Sequence, residues 1–191
     1  MYKLCKTEQS AARQRELELE LLKAMTNHRF EEITISDLCD RIGIPRKSFY
    51  RYFSGKEGAL YALVDHTLLD FETRFAIADA KEIRTFHQGL DRFFQFWYDQ
   101  KVLLDALARS GLSGVLIERA VNSAIQDDSM TNRFLSPELY ELRAQATMFG
   151  VCGLMSMVIT WHHDGYPQKP AKMAKLAAQL MTQPLFSEKS E

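Results

Sequence analysis

The stretch that most limits the fold of this chain runs from Ile33 to Lys56, ITISDLCDRIGIPRKSFYRYFSGK. Thr34 reads as a helix N-cap, with Asp37 three residues on as the reciprocal partner of a capping box. The helix it opens, about residues 35–42, turns Ile35, Leu38 and Ile42 to one side. Gly43 supplies the tight turn that follows, because a residue without Cβ takes positive φ freely. Pro45 suits the first position of the next helix, about residues 45–53, where no backbone N–H is required. Helices this short are marginal in water by themselves. They need a third helix to close a core, and residues 7–27 provide one, with Leu17, Leu21, Ala24 and Met25 along one face. Phe30, Ile33, Leu38, Ile44, Phe49 and Phe53 complete that core. Two short helices joined by a glycine turn and braced by a longer one form a helix-turn-helix, whose second short helix enters the DNA major groove.

The rest of the chain reads as helix throughout. Ser54-Gly55-Lys56-Glu57 breaks the pattern and opens a long helix to about residue 78. Further helices are expected at about 83–98, 102–109 and 113–125. Asp127-Asp128-Ser129 reads as a loop, and Ser136-Pro137 starts a long helix running to His163. A last helix covers about 170–181, and the tail after Pro184 is expected to fray. Only 9 glycines and 5 prolines occur in 191 residues, and no strand alternation appears. The expected fold is all-α, with about nine helices: a helix-turn-helix domain at residues 1–56 and a helical bundle at 57–191. No run of 18 apolar residues suggests a membrane span, and the N-terminus lacks the apolar run of a signal peptide, so a cytoplasmic protein is expected.

The net charge of −1 hides a polarity along the chain. Residues 1–56 hold eleven Lys and Arg against eight Asp and Glu, and the remainder is net acidic. Within residues 41–56, Arg41, Arg46, Lys47, Arg51 and Lys56 occur with no acidic residue. Arg46 and Lys47 stand at the start of the second short helix, the end that faces base edges, and both donate to guanine O6 and N7. Ser48 reaches a base edge or a phosphate. Tyr50 and Tyr52 diverge by about 200° on a helix of 3.6 residues per turn, one towards each flank of the groove. Thr34 and Lys56 sit at helix N-termini, which favour phosphate, and Arg51 adds charge towards the backbone. Phe49 and Phe53, four apart, read as core.

With Thr34, Leu38, Gly43, Ile44, Ser48, Phe49, Tyr50, Tyr52, Phe53 and Lys56 at these spacings, the segment resembles the DNA-binding motif of the TetR (tetracycline-repressor) family of transcriptional regulators. The resemblance covers the first 56 residues; beyond them it is one of architecture. Three positions depart from the family pattern: Lys47 stands where Gly is common, Pro45 where Ser is common, and Arg29 in place of the turn Gly after the first helix. They leave the fold expectation intact and make the operator sequence this chain's own.

The resemblance implies that residues 57–191 dimerise and hold an effector pocket. Gly150 and Gly153 allow a close helix crossing beside Leu154 and Met157, and with Leu176 and Leu180 they are the candidate dimer interface, burial within one subunit being the competing reading. Aromatic residues crowd the region from Phe71 to Tyr98. Phe75, Phe93, Trp97, Leu104, Leu107 and Met148 are the candidate effector contacts, core packing being the alternative.

The expected partners are a palindromic double-stranded operator, a small-molecule effector of unknown class and a second copy of the chain. No cofactor, metal or membrane partner is expected. Cys5, Cys39 and Cys152 form no CxxC pair and read as reduced thiols, and adjacent His162 and His163 point about 100° apart, a poor metal pair. No GxSxG, HExxH or GxxxxGK[ST] occurs, so a small helical enzyme is the weakest reading. A helical dimer whose helix-turn-helix docks protein instead of DNA is the main alternative, motivated by Pro45 and Lys47.

Overall fold

A computed structural model of the chain describes residues 1–3, 5, 7–77, 85–126 and 134–183. The expected loop at Asp127-Asp128-Ser129 and the tail after Pro184 lie outside the described residues. Among the described residues every regular element is helical, apart from one isolated antiparallel bridge between Tyr2 and Phe53. The described residues form nine α-helices, α1 (Glu8–Met25), α2 (Ile35–Arg41), α3 (Arg46–Phe49), α4 (Lys56–Ile77), α5 (Phe86–Asp99), α6 (Lys101–Arg109), α7 (Ser113–Gln126), α8 (Arg143–His163) and α9 (Pro170–Thr182). Short 3₁₀ turns occupy Phe30–Glu32 and Pro137–Leu142. The all-α expectation holds.

The chain forms two compact units, the first from Met1–Leu69 with Val102–Arg119 and the second from Asp70–Lys101 with Ala120–Glu191. In the first, α1 begins where the Thr7 side chain accepts from the Ser10 N–H, and it buries Leu17, Leu21, Ala24 and Met25 at helical spacing. Leu38, Phe49 and Phe53 are wholly buried, with Phe30 and Ile33 nearly so, whereas Ile44 is only half-buried. Leu103, Leu104, Leu107 and Leu116 add to the core of the same unit. A hydrogen bond of 2.9 Å from the Phe30 N–H to the buried Ser110 hydroxyl anchors the corner before α2.

The second unit is built on aromatic contacts. α9 packs along α5, burying Met173, Ala174 and Ala177. Phe71 meets Phe75, Phe93 and Phe96 at ring separations of 5.2–5.8 Å. Trp161 of α8 lies edge-on to Phe94 and stacks on Tyr98, and its indole N–H donates to the Gln168 carbonyl at 3.0 Å. The helix expected from Ser136-Pro137 starts differently: Pro137–Leu142 is a 3₁₀ turn, and the Ser136 hydroxyl donates to the Glu138 carboxylate instead of capping a helix.

The stretch Pro137–His163 is long and apolar enough to cross a membrane by length and composition alone, and little of it is buried. No unbroken apolar run marks it in the sequence, because Gln145, Thr147, Ser156 and Thr160 interrupt it.

Candidate nucleic-acid interface

The helix-turn-helix is set by local chemistry. The Thr34 hydroxyl accepts from the Asp37 N–H at 3.1 Å, and the Asp37 carboxylate accepts from both the Thr34 N–H and its hydroxyl. These bonds to Thr34, its hydroxyl first and its N–H second, hold the Asp37 carboxyl below its ordinary pKa. Gly43 takes φ of 66°, as the turn requires, and its N–H donates to the Asp40 carbonyl. Pro45 is the N-cap of α3, one residue before the position expected, and α3 is a single turn. Bonds from the Tyr52 and Phe53 N–H groups to the Phe49 carbonyl carry the coil on to Phe53.

Around that scaffold the side chains divide. Phe49 and Phe53 pack at 5.1 Å inside. Arg46, Lys47, Tyr50 and Arg51 are exposed, and Ser48 is half-buried. Among the described residues none of Arg46, Lys47 and Arg51 is engaged in an ion pair, whereas Arg41 reaches Glu20 of α1 at 3.5 Å. Three neighbouring cations with no carboxylate partner thus project from the turn containing α3. Such a face attracts a polyanion.

Two of the expected contacts sit elsewhere. Tyr50 and Tyr52 do diverge, but only Tyr50, 45% exposed, faces solvent; Tyr52 is 8% exposed and packs against Phe53. Lys56 turns inward. Its ammonium donates to the carbonyls of Phe30, Glu31 and Ile33 and lies 4.4 Å from the centroid of the Phe30 ring. All three of its donors are engaged, so its role here is to cap the 3₁₀ turn from outside. Thr34 is exposed, with its hydroxyl proton on Asp37.

Sequence reasoning missed an arm. Residues 1–3 pair antiparallel with the turn after α3: the Lys3 N–H donates to the Tyr52 carbonyl at 2.9 Å and the Ser54 N–H to the Met1 carbonyl at 3.0 Å. The Tyr2 hydroxyl donates to Asp65 at 2.8 Å, and Asp65 also receives a two-pronged Arg119 guanidinium. No short-range pattern could have revealed a pairing across some fifty residues.

The candidate effector contacts fall in separate units. Leu104 and Leu107 are buried in the first; Phe75, Phe93 and Trp97 are buried in the second, where Met148 is half-buried. Among the described residues the Trp97 indole N–H and the Thr147 hydroxyl are buried without a hydrogen-bond partner. Of the candidate dimer residues, Gly150 is buried, with the Met181 methyl 3.3 Å from where a Cβ would stand. Gly153, Leu176 and Leu180 are exposed, and Leu154 and Met157 are half-buried. Among the described residues no group of three or more His, Cys, Asp or Glu is placed to hold a metal. Burial raises the thiol pKa of Cys39, as it does that of Cys5.

Residues 23–63 match the family model described as bacterial regulatory proteins, tetR family. No curated protein matches the chain. Among solved structures, the fatty acid degradation regulator FadR from Bacillus halodurans is similar at a TM-score of 0.58 and 15% identity, covering 95% of this chain and 98% of its own. The dihydroxyacetone kinase operon activator DhaS is similar at a TM-score of 0.51 and 15% identity, covering 88% of this chain and 93% of its own. At that identity the likeness is one of fold.

Proposed function

From a helix-turn-helix that matches, over residues 23–63, the model of the tetR family of bacterial regulatory proteins, we propose that the chain is a homodimeric transcriptional repressor. It holds a palindromic operator and leaves it when a small-molecule effector binds. The observation that carries this reading is the α3 face: Arg46, Lys47, Tyr50 and Arg51 exposed together on a scaffold anchored by Phe49 and Phe53. Arg46 and Lys47 read base edges, and Ser48, Tyr50 and Arg51 hold phosphates. Thr34, Tyr52 and Lys56 support the face by fixing the turns on either side of it. The division of labour is residues 1–56 for DNA and 57–191 for dimerisation and effector, in the cytoplasm.

The dimer would be formed through α8 and α9, where Phe149, Gly153, Leu176 and Leu180 are exposed. Two recognition helices from such a dimer would span successive major grooves about 34–36 Å apart. Within the second unit, Phe75, Phe93, Trp97 and Met148 are the candidate effector contacts, whereas Leu104 and Leu107 belong to the core of the first.

Binding to a labelled duplex from the region upstream of its own gene, beside a scrambled duplex, tests the DNA reading. Arg46→Ala is expected to weaken operator binding by about 1–3 kcal/mol with a smaller effect on scrambled DNA. Equal affinity of the native chain for both duplexes across a range of salt would sink the reading in favour of a protein-docking role. Light scattering during size exclusion tests the dimer: the native chain should run as a dimer and Leu176→Glu with Leu180→Glu as a monomer. A reporter driven by the same upstream region fixes the direction of control, since repression predicts higher expression when the gene is deleted.

A further inference from the structure

We propose that the N-terminal arm is part of the DNA-binding surface, locking the turn after the recognition helix and presenting Lys3 as a further phosphate contact. This rests on the DNA-binding reading above. Tyr2 and Phe53 face each other in the antiparallel bridge, flanked by the bonds from Lys3 to Tyr52 and from Ser54 to Met1. Such a pair brings its two side chains together on one face. Phe53 points into the core, and Tyr2 follows it inward to Asp65 and to the edge of His66, 6.1 Å away. Successive residues of a strand point to opposite faces, so Lys3 turns outward, where it is exposed. Its backbone is bonded to Tyr52, the residue after Arg51 and two after Tyr50. The lysine side chain therefore leaves from the same turn that carries two of the exposed phosphate-contact candidates.

The arm is built in. The Ser54 hydroxyl donates a second bond to the Met1 carbonyl at 2.8 Å. Gly58, in the first turn of α4, leaves room for it: a Cβ there would stand 2.5 Å from the Met1 carbonyl oxygen and 3.1 Å from its carbon. Those are backbone atoms, so a side chain at position 58 displaces the arm. A bound arm fixes Tyr52 and Ser54 before DNA arrives, which removes an ordering cost from binding.

The test is fluorescence anisotropy on the same labelled upstream and scrambled duplexes over a series of KCl concentrations. Lys3→Ala is expected to lower the slope of log affinity against log salt by about 0.9 per protomer, the value of one lost phosphate contact. Lys3→Arg should keep the native slope. Gly58→Ala should lower the slope as Lys3→Ala does, although alanine favours the helix it sits in. The double variant should fall no further, because the arm is already displaced. A native slope in Lys3→Ala, from a protein that still prefers the upstream duplex, overturns the arm contact and leaves the DNA reading standing. A native chain with no preference overturns both. Should Gly58→Ala fail to give a folded protein by circular dichroism, Lys3→Ala and Lys3→Arg decide the matter alone.

Discussion

The two units of this chain solve the problem of buried surface in opposite ways. In the first, buried polar groups find partners close at hand. Lys56 is satisfied by three carbonyls, Asp65 by Tyr2 and Arg119, and the Phe30 N–H by Ser110. Even Glu18, wholly buried, receives Arg15 and His66 at 2.8 Å on one oxygen, although its other oxygen is without a partner. The first unit's exposed large apolar residues are Met1, Leu19, Tyr50, Leu69 and Val102 among those described. The second unit leaves Phe149, Leu139, Tyr140, Leu142, Leu176, Leu180 and Met181 in solvent and buries the Trp97 N–H and the Thr147 hydroxyl without a partner among the described residues. A self-sufficient unit meets its partner with charge. On the proposed reading, a second copy and an effector would cover the bare apolar surface and the buried donors of the second unit.

The largest effect should fall on the self-sufficient side. Phe53 is wholly buried, packs on Phe49 at 5.1 Å and faces Tyr2 across the bridge. Phe53→Ala removes a ring from a core with no slack, and the expected loss is about 3–5 kcal/mol. Urea unfolding followed by far-ultraviolet circular dichroism measures it. A loss under about 1 kcal/mol would mean that the core relaxes, and the contrast between the units would weaken.

The opposite sign is expected in the second unit. Thr147→Val keeps the shape and has similar helix propensity, but removes a buried hydroxyl with no partner. Because such a group carries a desolvation cost of about 1–3 kcal/mol, the variant should be more stable by about 1 kcal/mol, seen as a higher urea midpoint at an unchanged slope. A destabilised variant would show that the hydroxyl already has a partner, and that the second unit is no less complete than the first.

What the sequence discloses follows a different divide, between near and distant neighbours along the chain. The Thr34–Asp37 capping box, the positive φ of Gly43 and the burial of Leu38, Phe49 and Phe53 were legible because each depends on neighbours within a turn or two. Most helix bounds were legible to within a few residues for the same reason, but not the start of α8, six residues later than expected, or the end of α3, four residues earlier. Lys56 was not, since its cationic head could have met a phosphate as easily as the carbonyls that lie some twenty-five residues back along the chain. Nor was Tyr52, because period alone says that it opposes Tyr50 without saying which of the two faces water. Leu104 and Leu107 read as partners of Phe93 and Trp97 by their apolar character alone, yet they are packed in the other unit. Apolar pattern identifies what is buried; it does not identify with whom.

The smallest effect probes the arm, the element by which the first unit completes itself. The Tyr2 hydroxyl pKa is pushed up to about 12, first by burial, then by its hydrogen bond to Asp65 and the charge of that carboxylate, with Arg119 pulling the other way. An unfolded chain would release the same proton near its ordinary value of 10.0. The folded state therefore binds this proton more tightly, so its stabilising contribution is intact below pH 10 and is lost as the pH rises towards 12. Tyr2→Phe keeps the ring against His66 and removes the titrating group. The native chain should be modestly more stable than the variant at neutral pH, and the gap between their urea midpoints should close across the alkaline range. The two proteins differ only at position 2, so the difference isolates Tyr2. A gap that stays constant to pH 12 would show that the hydroxyl is not held by Asp65, and the arm would lose its main tie to α4.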